Sequence, residues 1–440
     1  MCYSIPGIVK DIKGTTVLVD YFGEEKKARN EFYKLEKGDY VSAQGGFIIK
    51  KIPEDEAKSI LSAWKELFFQ LQDVDRRLSD FKPDETTDKK LRLILDKAME
   101  NIALSRNDLT YLLNINAPKD LDLLLKAANF IRQKYHKNSC CVHGIIEISN
   151  DCLRNCFYCG ISIHNKEIPR YHMKNEEVIE SAVRAVSDYG FGSLILQSAE
   201  TASYTIKDLS MIVKKIKEGA DTLIGISFGE IGVEGLKELY NCGARALLLR
   251  FETSNEKLYC RLNPNHDLST RIKHLKAAKD MGYLIMTGAL IGLPGQTNDD
   301  IINDLYLAKE LGCEMYSFGP FIPHPSTPLG NHPACNQDLV LKVIALARII
   351  DPLNAKIPVT TAFETLSIDA RKKGLMSGAN SLMINVTPIS RRKLYSIYPD
   401  KAHINDGLKS QVDEVIKMLK FLGRAPADLG LNKDEKNLYA

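Results

Sequence analysis

The residues with the clearest chemistry are three cysteines, Cys152, Cys156 and Cys159, in the segment EISNDCLRNCFYCGIS. Their C-x3-C-x2-C spacing places three soft thiolates on one tight loop. That donor set suits three irons of a 4Fe–4S cube and leaves the fourth iron open to a small molecule. The same thiols would suit a structural zinc ion if His164 or His172 supplied a fourth ligand. Their position directly after the strand-like run VHGIIEIS (142–149) favours the cluster, because barrel sites gather on loops at strand C-terminal ends. Cys140, Cys141, Cys242, Cys260, Cys313 and Cys335 lack ligand spacing and are expected to be core or surface thiols.

The elements that must position this loop fall into two textures. Residues 1–52 hold short β-type runs, IVKDI (8–12), TTVLVDYF (15–22), DYVSAQ (39–44) and GFIIKKI (46–52), separated by glycine-marked turns. They predict a small antiparallel barrel, followed by a helix that starts at Pro53 with acids in its first turn and ends near Leu78. A polar stretch (81–89) reads as a linker. Helices over 90–114 and 118–136 then lead into alternating strands and helices. Strands are expected at 142–149, 193–198, 223–228, 246–251, 284–292, 314–321, 357–363 and 381–386, with amphipathic helices such as EEVIESAVRAVSDYG between them. This alternation predicts an α/β fold, a parallel (β/α)8 barrel of the TIM type running to about residue 425, with a polar tail over 426–440.

With 440 residues and an ordinary apolar fraction, the chain can bury such a core. A net charge of +3 gives no electrostatic footprint for nucleic acid. No apolar run is long enough for a bilayer, and MCYSIPGIVKDIKG lacks the pattern of a secretory signal, so a cytoplasmic protein with reduced thiols is expected.

The cysteine loop resembles that of radical S-adenosylmethionine (SAM) enzymes. From about residue 90 to 425 the chain resembles the FeFe-hydrogenase maturase HydE family. The matching blocks are IIEISNDCLRNCFYCG, NKEIPRYHM, LILQSAE, LLLRFETSNEKLYCRLNP, IGLPGQT, FGPFIPHPSTPL, VTTAF, GANSLMINVTP, RRKLYSIYP and FLGRAPADLG. The resemblance implies one 4Fe–4S cluster that chelates SAM and, once reduced, cleaves it to a 5′-deoxyadenosyl radical. The radical would attack a sulfur of a cysteine-bound iron carbonyl–cyanide precursor during hydrogenase cofactor assembly. It also implies an electron donor such as a ferredoxin or flavodoxin, and contact with other maturation proteins.

By that resemblance Tyr158, Gln197, Ser198 and Glu200 lie beside the cluster and SAM. Glu252 would accept the ribose hydroxyls and Arg271 would grip the SAM carboxylate. Arg250, Thr360, Thr361 and Tyr398 would meet an anionic substrate or the reacting sulfur, with Met315 and Met383 lining the pocket. Some family members carry a second cluster, but KAHINDGLKSQVDEV (401–415) has no cysteine, so none is expected here. QSAET and FETSN also depart from the family's usual blocks at the second and fourth strands.

The first 80 residues resemble the HypC/HupF hydrogenase assembly chaperones through MCYSIPGIV, VDYFG and KGDYVSAQGGFIIKKIPEDEA. That resemblance implies an iron carbonyl–cyanide unit held by Cys2, handed from this module to the barrel. Gln44 stands where the family usually has a histidine ligand. The rival readings are a mutase or thioether-modifying radical enzyme of the methylornithine synthase type, and a non-catalytic iron-carrying scaffold.

Overall fold

The computed structural model describes residues 5–83 and 87–426. Its N-terminal unit is built from β1 (Gly7–Lys13), β2 (Thr16–Tyr21), β3 (Glu24–Arg29), β4 (Tyr40–Gln44) and β5 (Phe47–Ile52), closed in the order β1-β2-β3-β5-β4. Alternate residues Val17, Val19, Val41 and Ala43 point inward and meet Ile48. The strand β3 was not expected: EEKKAR has no apolar alternation and buries only Ala28. Pairing with β2 along its whole length imposes the extended form over its poor propensity. A single parallel pair, Arg29 with Phe47, then closes the barrel.

The expected helix is α1 (Glu54–Leu78), with Pro53 at its N-cap and three acids in its first turn. Its Trp64, Phe68 and Leu71 cap the small barrel's core. Near its end Asp75 is fully buried between two guanidinium groups, Arg132 (2.7 Å) and Arg424 (3.0 Å). Ser79 and Phe81 are also buried, so the start of the expected linker is packed against the body.

The lead-in comprises α2 (Lys89–Met99), α3 (Arg106–Leu113) and α4 (Pro118–His136). One helix was expected over 90–114. It breaks because Ser105 and Asp108 form a capping box that starts α3 afresh.

The second domain contains β6 (Ser139–Ser149), β7 (Ser193–Ser198), β8 (Leu223–Ser227), β9 (Ala244–Leu248), β10 (Leu284–Thr287), β11 (Leu290–Ile291), β12 (Met315–Tyr316), β13 (Gly319–Pro320), β14 (Pro358–Val359), β15 (Ser381–Asn385) and β16 (Ala425–Pro426). Parallel pairing runs β12-β10-β9-β8-β7-β6-β15-β14, and a parallel bridge from Met315 to Lys356 brings the two ends together. The eight strands of this nearly closed barrel fall within or across the expected segments. The run expected over 284–292 splits into β10 and β11. That over 357–363 is strand only at Pro358–Val359, because Thr360 caps a helix starting at Thr361. The short β16 pairs with β6 outside this path, and β11 pairs with β13.

Strand β5 is buried on both faces. Ile48 enters its own barrel, while Phe47 and Ile49 join Ile145, Ile195, Leu223, Ala246, Leu284, Met286 and Met315 inside the larger one. Fully burying each such side chain is worth about 1.5–3 kcal/mol. No helix among the described residues is long and apolar enough to cross a membrane.

Candidate active site

The cysteine loop leaves the C-terminal end of β6 and is held by its neighbours' backbones. Leu153 N–H donates to Glu200 O (2.9 Å), Phe157 N–H to Leu262 O (3.0 Å) and Gly160 N–H to Ile397 O (2.8 Å). Cys152, Cys156 and Cys159 are half-buried and line one cavity of about 310 Å³. Burial, then the neighbouring Cys152 thiol, pushes the Cys156 thiol up to about 12. Burial likewise raises Cys159, reinforced by Cys156 and Cys152. Burial also raises Cys152, so all three thiols hold their protons, and loading metal there must release them.

This donor set fits an iron–sulfur cube better than a single ion. Among the described residues no three His, Cys, Asp or Glu side chains converge as one ion requires. A cube takes each thiolate on a different iron, so the thiolates need not meet at one point. The proposed zinc ligands are engaged elsewhere: His164 Nε2 meets Asn155 O (3.0 Å), and the His172 ring packs edge-on against Tyr204 (6.3 Å between centroids).

Carboxylates follow three successive strands, Glu200 after β7, Glu230 after β8 and Glu252 after β9. Glu200 and Glu230 share two arginines. Arg154 Nε lies 2.9 Å from Glu200 and its Nη2 2.6 Å from Glu230. Arg271 Nε lies 2.9 Å from Glu230 and its Nη2 3.1 Å from Glu200. Gly229 permits this: it has φ +72°, and a Cβ there would overlap the Glu200 side chain.

Glu252 has a positive φ of 67°, a costly conformation for a residue with a Cβ. It is pinned by its N–H to Gly288 O (3.2 Å) and by Leu290 N–H to its own carbonyl (2.9 Å). Its Oε2 is buried, lies 2.9 Å from Arg250 Nη2 and has no well-aligned hydrogen bond, so it has acceptor capacity to spare. A ligand bearing hydroxyl donors fits this edge of the cavity.

Arg250, Thr360, Thr361 and Tyr398 line the same cavity, as do Tyr158, Gln197, Ser198 and Met383. Arg250 and Thr360 are close neighbours: a Cβ on Gly319 would lie 3.2 Å from Arg250 Nη1 and 3.5 Å from Thr360 Oγ1. Thr360 also caps the helix Thr361–Leu366 by accepting the Phe363 N–H. Gln197 donates to the Tyr395 hydroxyl (3.1 Å), and Tyr158 donates to Asn263 Oδ1 (3.3 Å).

Met315 is a correction. It is buried in the apolar layer with Phe47, Leu284 and Met286 and does not line the cavity. In register it lies beside Met286, inside the barrel's apolar layer and not on the loops above. Cys2 lies outside the described residues. Gln44 is buried beside Gly192 at the start of β7.

The sequence reading missed Arg154 and Glu230, and also a buried pair, Glu147 and Lys401, that lines the cavity. Lys401 Nζ contacts Glu147 Oε1, while Asn385 Nδ2 donates to Oε2 (2.9 Å). Glu230 stands, like Glu252, just after an apolar strand, a position at which barrel sites gather. Lys401 had no such signal, because it arrives on an irregular segment far along the chain.

The model of the Radical SAM superfamily matches residues 146–308, and that of the HupF/HypC family matches residues 1–64. The chain is similar to the FeFe hydrogenase maturase subunit HydE of Thermotoga maritima, with 39% identity over 335 residues, 76% of this chain and 95% of that protein. The 3-methylornithine synthase of Methanosarcina acetivorans is 28% identical over 337 residues, 76% of this chain and 93% of that protein. Among solved structures, methylornithine synthase (PylB) aligns with TM-score 0.66 and 25% identity over 79% of this chain and all of that one (100%). The maturase HydG shares the fold, with TM-score 0.66 at 19% identity over 85% of this chain and 80% of that one.

Proposed function

Because the chain belongs to the hydrogenase maturase HydE family of radical SAM enzymes, we propose that it acts on a sulfur- or cysteine-bound iron carbonyl–cyanide precursor during hydrogenase cofactor assembly. The observation that carries this reading is one cavity lined both by the three cysteines and by Arg250, Thr360 and Tyr398. When bound, a 4Fe–4S cluster reduced by a ferredoxin or flavodoxin supplies the electron that cleaves SAM to a 5′-deoxyadenosyl radical.

Cys152, Cys156 and Cys159 would hold that cluster, with Arg154 N–H already donating to Cys152 Sγ (3.4 Å). Glu252 would take the ribose hydroxyls on its spare oxygen. Arg271 would turn from Glu200 or Glu230 toward the SAM carboxylate, one anion exchanging for another at the same fork. Arg250, released from Glu252 as that carboxylate takes hydroxyls, would orient the anionic substrate beside Thr360. The apolar walls Ile145, Leu248 and Met383 exclude water from the reacting end.

Identity favours this reading over the methylornithine synthase type, 39% against 28%. The test is anaerobic turnover of the reconstituted, reduced protein with SAM. 5′-Deoxyadenosine formation should accelerate on adding a cysteine-bound iron carbonyl–cyanide complex and not on adding lysine. Acceleration by lysine instead would overturn the assignment in favour of a mutase.

A further inference from the structure

The N-terminal domain plays no part in the chemistry above, yet it is inserted into the barrel that performs it. A free five-stranded barrel buries one face of each strand, and the pair Phe47 and Ile49 would then be an exposed apolar patch. Here that face completes the layer of Ile145, Ile195, Leu223, Ala246, Leu284, Met286 and Met315. Leu223 and Leu284 are the first residues of β8 and β10. The contact is therefore at the strands' N-terminal ends, opposite the cysteine loop that leaves the far end of β6. Leu248 and Met383 pack on this layer and, with Ile145, also line the cavity. A single stratum of side chains separates the N-terminal domain from the chamber.

The fit is tight at the tip. Gly45 has φ +56°, and a Cβ there would lie 2.8 Å from both Leu223 Cδ2 and Leu284 Cδ1. The rim is tied by charge and hydrogen bonds. Glu31 meets Arg245 Nε (2.7 Å), and the Tyr33 hydroxyl lies 3.2 Å from Asp221 Oδ1. Below them, Asp75 locks α1 between Arg132 and Arg424. These contacts describe a docked part and not a tethered carrier.

We propose that the N-terminal domain functions as the floor of the reaction chamber. It fills the barrel's N-terminal mouth, holds the apolar layer in place, and leaves the cysteine end as the entrance for substrate and small molecules. This rests on reading the cavity as the place of reaction.

The experiment is hydrogen exchange by mass spectrometry on the full-length, cluster-loaded chain, comparing the parent, the double variant Phe47→Ala/Ile49→Ala and the control Lys51→Ala on the same strand. Amides at the starts of β7, β8 and β10 should exchange roughly tenfold faster in the double variant, with parent-like exchange in the control. The double variant should also release more 5′-deoxyadenosine from SAM in the absence of substrate. Emission of Trp64, the chain's single tryptophan, checks that the small barrel stays folded. If it does not, Leu223→Ala/Leu284→Ala, altered on the other side of the contact, is read by the same criteria. Parent-like exchange in the folded variant overturns the floor. A parent that makes no 5′-deoxyadenosine refutes the chamber reading instead, while the exchange data still decide whether the domain closes the barrel.

Discussion

The two ends of the large barrel are made of opposite materials. At the cysteine end four cations, Arg154, Arg250, Arg271 and Lys401, are paired with four carboxylates, Glu147, Glu200, Glu230 and Glu252, around or beside one cavity. At the other end a layer of aliphatic and methionine side chains meets Phe47 and Ile49, with charge confined to the rim. Desolvated ion pairs are a weak source of stability, whereas apolar burial is a strong one. The contrast teaches that the charged end is arranged for exchange with a ligand's own charges, and the apolar end for closure.

The largest effect is expected on removing one cluster ligand. Cys156→Ala should lose the cluster, with bound iron and 5′-deoxyadenosine falling to background, while the metal-free protein unfolds near the parent's midpoint because the thiol is only half-buried. A large loss of stability in that variant would make the loop structural.

Next in size is the charge cluster away from the cavity. Asp75→Ala strands Arg132 and Arg424 in the interior and should cost about 3–5 kcal/mol in denaturant unfolding, with iron per folded chain unchanged. A smaller loss is expected for Lys401→Met, about 2–3 kcal/mol, because cavity water can reach the Glu147 carboxylate left behind. Adding Glu147→Gln should restore part of it. If Asp75→Ala alters cluster loading and Lys401→Met leaves both stability and turnover untouched, the division between structural and functional charge is wrong.

A pH dependence is expected beneath the Glu252 turn. Asp304 accepts the Ser254 N–H (2.5 Å) and hydroxyl (2.6 Å), and burial pushes its carboxyl from 3.8 up to about 7. The folded state therefore keeps a proton that the unfolded state releases. This contribution to stability is present below pH 4 and is lost as pH rises through 7, with a slope of at most about 1.4 kcal/mol per pH unit. Asp304→Asn should remove that loss, so the variant should gain on the parent in melts from pH 5 to pH 8. A constant difference would show that Asp304 is ionised throughout.

Much of this was legible in the residues because the signals were local. Eight barrel strands announced themselves as apolar runs bounded by turns, and the cysteines by spacing. Glu252 came through the matching block LLLRFETSNEKLYCRLNP. What escaped was imposed from a distance. The charged strand EEKKAR is extended only because β2 pairs with it. Lys401 reaches Glu147 from 254 residues further along the chain. Phe47 and Ile49 looked like half of an ordinary strand until their other face met Leu223 and Leu284. Met315 fell in an expected strand, yet it belongs to that same layer, since spacing along a strand does not say how deep in the barrel a residue lies.

Three cysteines on a four-iron cube would leave one iron open to SAM. The measurement is electron paramagnetic resonance of the reduced, reconstituted protein before and after SAM is added. The expected result is about four irons per chain and a change in the cluster signal on SAM addition that Glu252→Gln weakens and Cys156→Ala abolishes. A four-iron signal that SAM leaves unmoved would contradict it.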